Sequence, residues 1–386
     1  MRNRWKNIVQ SIPFHYKLVM AFIIAGAVSV ATILSTSSDT TIVPIPEPIE
    51  SGNQSNKGIR AVAQNLEIPW SIDVSKDGRI FFTEKPGRIR MIHADGTLES
   101  EPVAHIRTEN IGEAGLLGLA LHPNFTQNHL IYIYQTYVDD ERLYNKVLVL
   151  TERNNKIVDS KTVLDRIPAS DLNNGGRLKF GPDGALYVST GDSEIPELAQ
   201  DAKSLAGKIL RVNHDGTIPY DNPFPDSPVY SYGHRNIQGL AWHPLTEELF
   251  ATEHGPSGND EINIIEPGSN YGWPLEVCNY SLSSTTMKFK TPLFCFNPSI
   301  APTGLTIPIS DRLGYQNDVI FTTLRGSHLH QIDLESRVQD NILVGYGRLN
   351  DVFEAPNGSL YVLTANKNAI GMGNAYDDRI LQIIQK

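Results

Sequence analysis

The chain has 386 residues, of which 40% are hydrophobic and 20% charged, and a formal net charge of −10. That much apolar material can bury a core and excludes a chain that stays disordered. The acidic balance gives nucleic-acid binding no electrostatic support, and the length allows either two or three domains or one large β-architecture.

At the N-terminus, Arg2, Arg4, Lys6 and Lys17 precede an almost uninterrupted apolar run over residues 18–34. A basic flank before such a run reads as an export signal or a single membrane anchor. The run lies at the short end of spanning length, roughly 17–25 residues. No clear small-x-small cleavage site and no lipobox cysteine follows, which favours a retained anchor over residues 1–34. Residues 35–57 are rich in Ser, Thr, Pro and Gly, with Pro44, Pro46 and Pro48 in alternation, the composition of an extended linker. The folded domain is therefore expected over residues 58–386, outside the cytoplasm, tethered to the membrane or secreted if the first segment is cleaved.

Within that domain a turn followed by a short β-rich run recurs. It reads SKDGRIFFTE (75–84), HPNFTQNHLIYIYQTY (122–137), GPDGALYVSTGD (181–192), HPLTEELFATEHG (243–255), GYQNDVIFTTLRG (314–326) and APNGSLYVLTAN (355–366). Each copy places Pro, Asp, Asn or Gly where a tight turn needs them, and an alternating strand follows. Most copies are trailed by a second strand, such as GRIRMI at Gly87, GKILRV at Gly207 and DRILQII at Asp378. Amphipathic helices are almost absent. Six such units predict an all-β fold, a six-bladed β-propeller. Cys278 and Cys295 allow a disulfide on an exported chain, or two separate buried thiols.

Three segments are not generic blade sequence: NNGGRLKFGPDGALYVSTGD (173–192), YGHRNIQGLAWHP (232–244) and EHGPSGNDEINIIEPGSNYGWP (253–274). In the third, a turn at Gly255 and Pro256 can expose carbonyls beside the carboxylates of Asp260 and Glu261, the oxygen ligands that a hard cation such as calcium wants. With GEAGLLGLALHPNF (112–125) and PSIAPTGL (298–305), these strings resemble the soluble pyrroloquinoline-quinone (PQQ) aldose, or glucose/sorbosone, dehydrogenase family, from about Val62 onward.

The resemblance implies PQQ and calcium as cofactors. It implies that the Gly255 and Pro256 carbonyls hold the cofactor's calcium, and that Glu261 and Tyr271 hold a second, structural one. Arg235 would stabilise charge on the accepting quinone and Asn236 would hydrogen-bond it. Ser299, Arg325 and Arg348 match positions that grip the cofactor, a task suited to guanidinium because PQQ carries three carboxylates. The implied reaction oxidises an aldose sugar at its anomeric carbon to the lactone and passes electrons to an extracytoplasmic acceptor.

Two positions depart from the family. The general base, a histidine four residues before the Arg of GGR, is here Asn173, and an amide cannot take a hydroxyl proton at physiological pH. Asp192 matches the residue that orients that histidine. Glu113, where some members have glutamine, maps near the sugar and is the natural substitute base. In the 348–352 string RLNDV, Asn350 stands where an arginine is common. These changes leave open a non-catalytic propeller that binds carbohydrate or protein. A metal-dependent lactonase fits the HRN and Gly-Pro strings poorly.

Overall fold

The computed structural model describes residues 57–278, 280–281, 287–368 and 378–385. The segment expected to be an anchor and nearly all of the linker lie outside these residues. Among the described residues no helix is long and apolar enough to cross a membrane.

Six four-stranded antiparallel sheets follow one another along the chain. We call them blades 1–6. Their inner strands are Pro69–Val74, Leu116–Leu121, Gly175–Phe180, Ile237–Trp242, Pro302–Thr306 and Leu349–Glu354. The repeats seen in the sequence supply the second strands: Ile80–Glu84, Leu130–Asp139, Leu186–Thr190, Leu249–Glu253, Val319–Thr323 and Leu360–Thr364. Blade 6 takes its outermost strand from the other end of the domain. Lys57–Leu66 pairs antiparallel with Asp378–Gln385, with Lys57 opposite Gln385 and Leu66 opposite Asp378. This pairing closes the ring, and each blade keeps only short edges, its inner strand facing the channel and its outermost strand facing out.

The core consists of six apolar clusters, one between each pair of adjacent blades. Leu117, Tyr132 and Tyr134 of blade 2, for example, meet Leu178, Leu186 and Val188 of blade 3. Inner strands crowd so closely that a Cβ on Gly118 would lie 2.1 Å from the Gly176 carbonyl oxygen, and one on Gly239 would lie 2.3 Å from that of Thr303. Only glycine allows this approach. The two cysteines form a disulfide, Cys278–Cys295, with a Cα–Cα distance of 5.8 Å. It ties the loop after Glu276–Val277 to Phe294–Phe296, the outermost strand of blade 4.

Candidate functional site

All six inner strands carry a register shift within their first few residues, at Pro69/Ile72, Leu116/Leu119, Gly175/Leu178, Ile237/Gly239, Pro302/Leu305 and Leu349/Asp351. Bulges re-aim side chains and end regular pairing. Here they turn the starts of the inner strands, and the loops before them, into a polar mouth at one end of the central channel.

At that mouth Asn173 is 7% exposed and held in the left-handed region at φ 53°. Its amide nitrogen donates to Asp192 Oδ1 at 2.9 Å. The other carboxylate oxygen of Asp192 accepts from Trp273 Nε1 at 2.8 Å. The backbone N–H of Asn173 donates to Glu113 Oε2 at 2.9 Å, and Asn236 Nδ2 donates to the same oxygen at 3.2 Å. One oxygen of Glu113 is thus fixed by two donors.

Glu113 lines a recess together with Trp70, Gln238, His254, Arg348 and Asn350. Two buried nitrogens here, Arg348 Nε and His254 Nε2, have no hydrogen-bond partner. Burial holds the Arg348 guanidinium below its ordinary pKa, and the Glu113 charge opposes that shift. Lys85, also lowered by burial and raised back by Glu113, donates from Nζ to the Gly112 carbonyl and so braces the loop that carries Glu113.

An adjoining recess of about 230 Å³ is lined by Arg235, Gly255, Pro256, Glu261, Tyr271 and Trp273, and shares His254 with the first. Arg235 Nη1 donates to the carbonyls of His254 and Gly255, each at 3.1 Å, and its guanidinium lies 5.5 Å from the centre of the Trp273 ring. Behind it, His234 Nδ1 meets Glu253 Oε2 at 2.9 Å, and its ring stacks on Tyr271 at 4.6 Å. Glu261 is buried; desolvation, then the charge of Glu253, pushes its carboxyl up to about 8. The Tyr271 hydroxyl donates to the Ile264 carbonyl and accepts from Glu266 N–H, so only the backbone carbonyl of this residue remains to contact a cation. Glu261 lies close to both cysteine sulfurs. Those sulfurs are spent in the disulfide and do not make a thiolate site.

The expected cofactor grips divide. Arg348 lines the first recess, as the sequence suggests. Asn236 is 0% exposed: its Oδ1 accepts from Gly175 N–H and Gln238 Nε2 while its Nδ2 serves Glu113, so it organises the mouth from beneath. Ser299 donates its hydroxyl to Asp260 Oδ2 at 2.7 Å and has no proton left for a carboxylate. Arg325 is exposed and lines neither recess. Asn350 donates to the carbonyls of Pro69 and Trp70, bracing blade 6 against blade 1. His254, Trp70, Gln238 and Lys85 were not singled out from the sequence. His254 stands in the quoted EHGP string, and that string was its only signal.

Below the mouth, Arg177 and Asp351 form a buried pair at 2.7 Å. Arg177 also donates to the Gln238 carbonyl and Ser71 Oγ, and stacks 4.3 Å from the Trp70 ring.

The glucose/sorbosone dehydrogenase family model matches residues 66–372. Aldose sugar dehydrogenase YliI of Escherichia coli is 31% identical over 79% of this chain and 89% of its own length. Quinoprotein glucose dehydrogenase B of Acinetobacter calcoaceticus is 32% identical over 67% of this chain and 60% of its own. The PQQ-bound structure of the aldose sugar dehydrogenase from Streptomyces coelicolor superposes with a TM-score of 0.75 at 34% identity, covering 88% of this chain and all (100%) of that one. The six blades and these matches agree: the chain belongs to the glucose/sorbosone dehydrogenase family, a family of PQQ-dependent sugar oxidoreductases.

Proposed function

We propose that this chain is a PQQ- and calcium-dependent dehydrogenase that oxidises an aldose at the anomeric carbon to its lactone, outside the cytoplasm, with Glu113 as the base in place of the family's histidine. The observation that carries the reading is the position of Glu113. It shares a recess with a buried, unpartnered Arg348 nitrogen, and one of its oxygens is pinned by Asn173 and Asn236.

The residues fit the cofactor. An anionic planar group would give Arg348 Nε the acceptor it lacks, and a guanidinium can hold a carboxylate with charge-assisted bonds. Gly255, Pro256 and Glu261 offer the hard oxygen donors calcium prefers, and a cation there would favour the ionised form of Glu261. PQQ, when bound, supplies the hydride acceptor for the sugar's C1 hydrogen. Glu113 Oε1 takes the proton of the C1 hydroxyl as that hydride leaves. Arg235, steered by Trp273 and by the His254 and Gly255 carbonyls, stabilises negative charge at the accepting end. Asn173 cannot accept the proton; it keeps Glu113 and Asp192 in place. Electrons then pass to an acceptor outside the cytoplasm, and the basic-flanked apolar run over residues 18–34 supports the location.

A propeller that binds carbohydrate or protein without turnover is the second reading, favoured by Asn173 and by a 31% identity over 43% of this chain to the Hedgehog-interacting protein of Mus musculus. The test is to load the full chain with PQQ and calcium and to follow cofactor absorbance and aldose oxidation with an artificial electron acceptor. Cofactor-dependent turnover is expected. Bound cofactor without turnover leaves the second reading, and no bound cofactor overturns both the cofactor assignment and the activity.

A further inference from the structure

Blade 2 is built differently from the others. Its second strand has ten residues, whereas those of blades 1, 3, 4, 5 and 6 each have five. Gln135 opposite Leu116 is the last pairing with the inner strand, so Thr136–Asp139 run past it on the side of the mouth, paired only with Arg142–Arg153. The loop before blade 2 is docked along this extension: Glu109 N–H and Thr108 Oγ1 both donate to the Thr136 carbonyl. Between loop and hairpin lies a groove of about 450 Å³.

Its chemistry is specific. Arg107 and Lys146 line it against one carboxylate, Glu109, and neither cation takes part in an ion pair among the described residues, in a chain whose net charge is −10. Lys146 stands 4.3 Å from the centre of the Tyr137 ring, which also lines the groove. At the groove's base Gln135 is 4% exposed. Its amide nitrogen donates to the Arg107 carbonyl at 3.3 Å, which fixes the amide's orientation and leaves Oε1 buried with no donor. A ligand matching these groups carries a hydroxyl to donate to Gln135, a carboxylate for Arg107 and Lys146, and a C–H face for Tyr137. A uronic acid has all three.

One loop serves both the groove and the recess beside Glu113. Arg107 and Glu113 are carried by one loop, and six residues of chain span at most roughly 20 Å, within the length of a short oligosaccharide. We propose that the groove is a distal subsite that holds the acidic unit of a uronate-containing oligosaccharide whose reducing end occupies the recess beside Glu113. As a statement about substrate this rests on the proposed dehydrogenase function; as a binding site the groove stands by itself.

The test is calorimetric titration of the full chain with a galacturonate trisaccharide and with a neutral trisaccharide of the same length, native against an Arg107→Gln/Lys146→Gln variant. Both changed side chains lie at the groove surface, and matching thermal midpoints establish that the variant is folded. The native chain is expected to bind the acidic sugar at least tenfold tighter than the neutral one, with the preference weakened by added salt and lost in the variant. Equal binding of the two sugars, or a preference that survives in the variant, overturns the subsite. If acidic binding behaves as expected but no sugar is oxidised by the PQQ-loaded chain, the dehydrogenase reading fails and the groove stands.

Discussion

The floor of the channel and its mouth are both polar and buried, yet their hydrogen bonding differs. On the floor, Arg177 donates to Asp351, Ser71 and the Gln238 carbonyl, leaving only Nη2 without a partner, while Asp351 also accepts from Ile72 N–H and Val352 N–H. Burial pushes Arg177 down and Asp351 up from their ordinary pKa values, and their mutual attraction opposes both shifts. A few ångströms of chain away, Arg348 Nε and His254 Nε2 have no partner, and one Glu113 oxygen is fixed while its carboxylate faces a recess. Buried polar groups in folded proteins are normally satisfied. The difference lies in what the unpartnered nitrogens face: Arg348 and His254 line a recess and Arg177 does not, so the floor reads as structure that ties blades 1, 3, 4 and 6 together and the mouth as a surface completed by a ligand.

Substitutions at the two levels should separate these roles. Arg177→Met strands Asp351 in the interior, and breaking a buried pair from one side costs about 3–5 kcal/mol. Chemical denaturation should show that loss; a change under about 1 kcal/mol would mean the floor is not the structural tie described here. At the mouth, Asn173→His added to Glu113→Gln restores a neutral-range base beside Asp192 and should recover much of the roughly 10²–10⁴-fold that loss of the base costs, with little change in stability. Arg348→Met should weaken PQQ binding about 10- to 100-fold, through loss of charge-assisted bonds of about 1.5–3 kcal/mol, and leave the unfolding midpoint near native. A large stability loss instead would place Arg348 with the floor.

A pH effect of comparable size at most concerns Asp73, at the far end of the inner strand of blade 1. Burial raises its carboxyl to about 6, although the Leu121 and Val74 N–H groups donate to it. Between about pH 4 and pH 6 the folded chain then holds more protons at this site than the unfolded one. Its contribution to stability is present at low pH, falls as pH rises through that window and is flat above it. The difference between native and Asp73→Asn stabilities should follow this fall, by no more than about 3 kcal/mol. A pH-independent difference would show that Asp73 is ionised throughout.

How much of this was legible in the sequence follows from which strands repeat. Second strands such as Ile80–Glu84 and Leu186–Thr190 are wholly buried between blades and announced by tight turns. Inner strands carry channel-facing Ser71, Arg177 and Gln238 and a bulge each, which interrupts their period-two pattern. The closing strand Lys57–Leu66 has no local signal at all, because its partner lies more than three hundred residues away, as the bond from Arg60 to Gln382 shows. At the site, the contact between Asn173 and Asp192 was legible because both lie in one motif. That Ser299 is committed to Asp260 and Asn236 to Glu113 was not, since both depend on chain packed from a distance.

Turnover by the Glu113→Gln variant tests the central claim most directly. In the full chain loaded with PQQ and calcium, with cofactor occupancy checked by absorbance, the account predicts that native protein oxidises an aldose and that Glu113→Gln, with equal cofactor bound, loses roughly 10²–10⁴-fold of that rate. Equal rates in the two proteins would contradict it and remove Glu113 as the base.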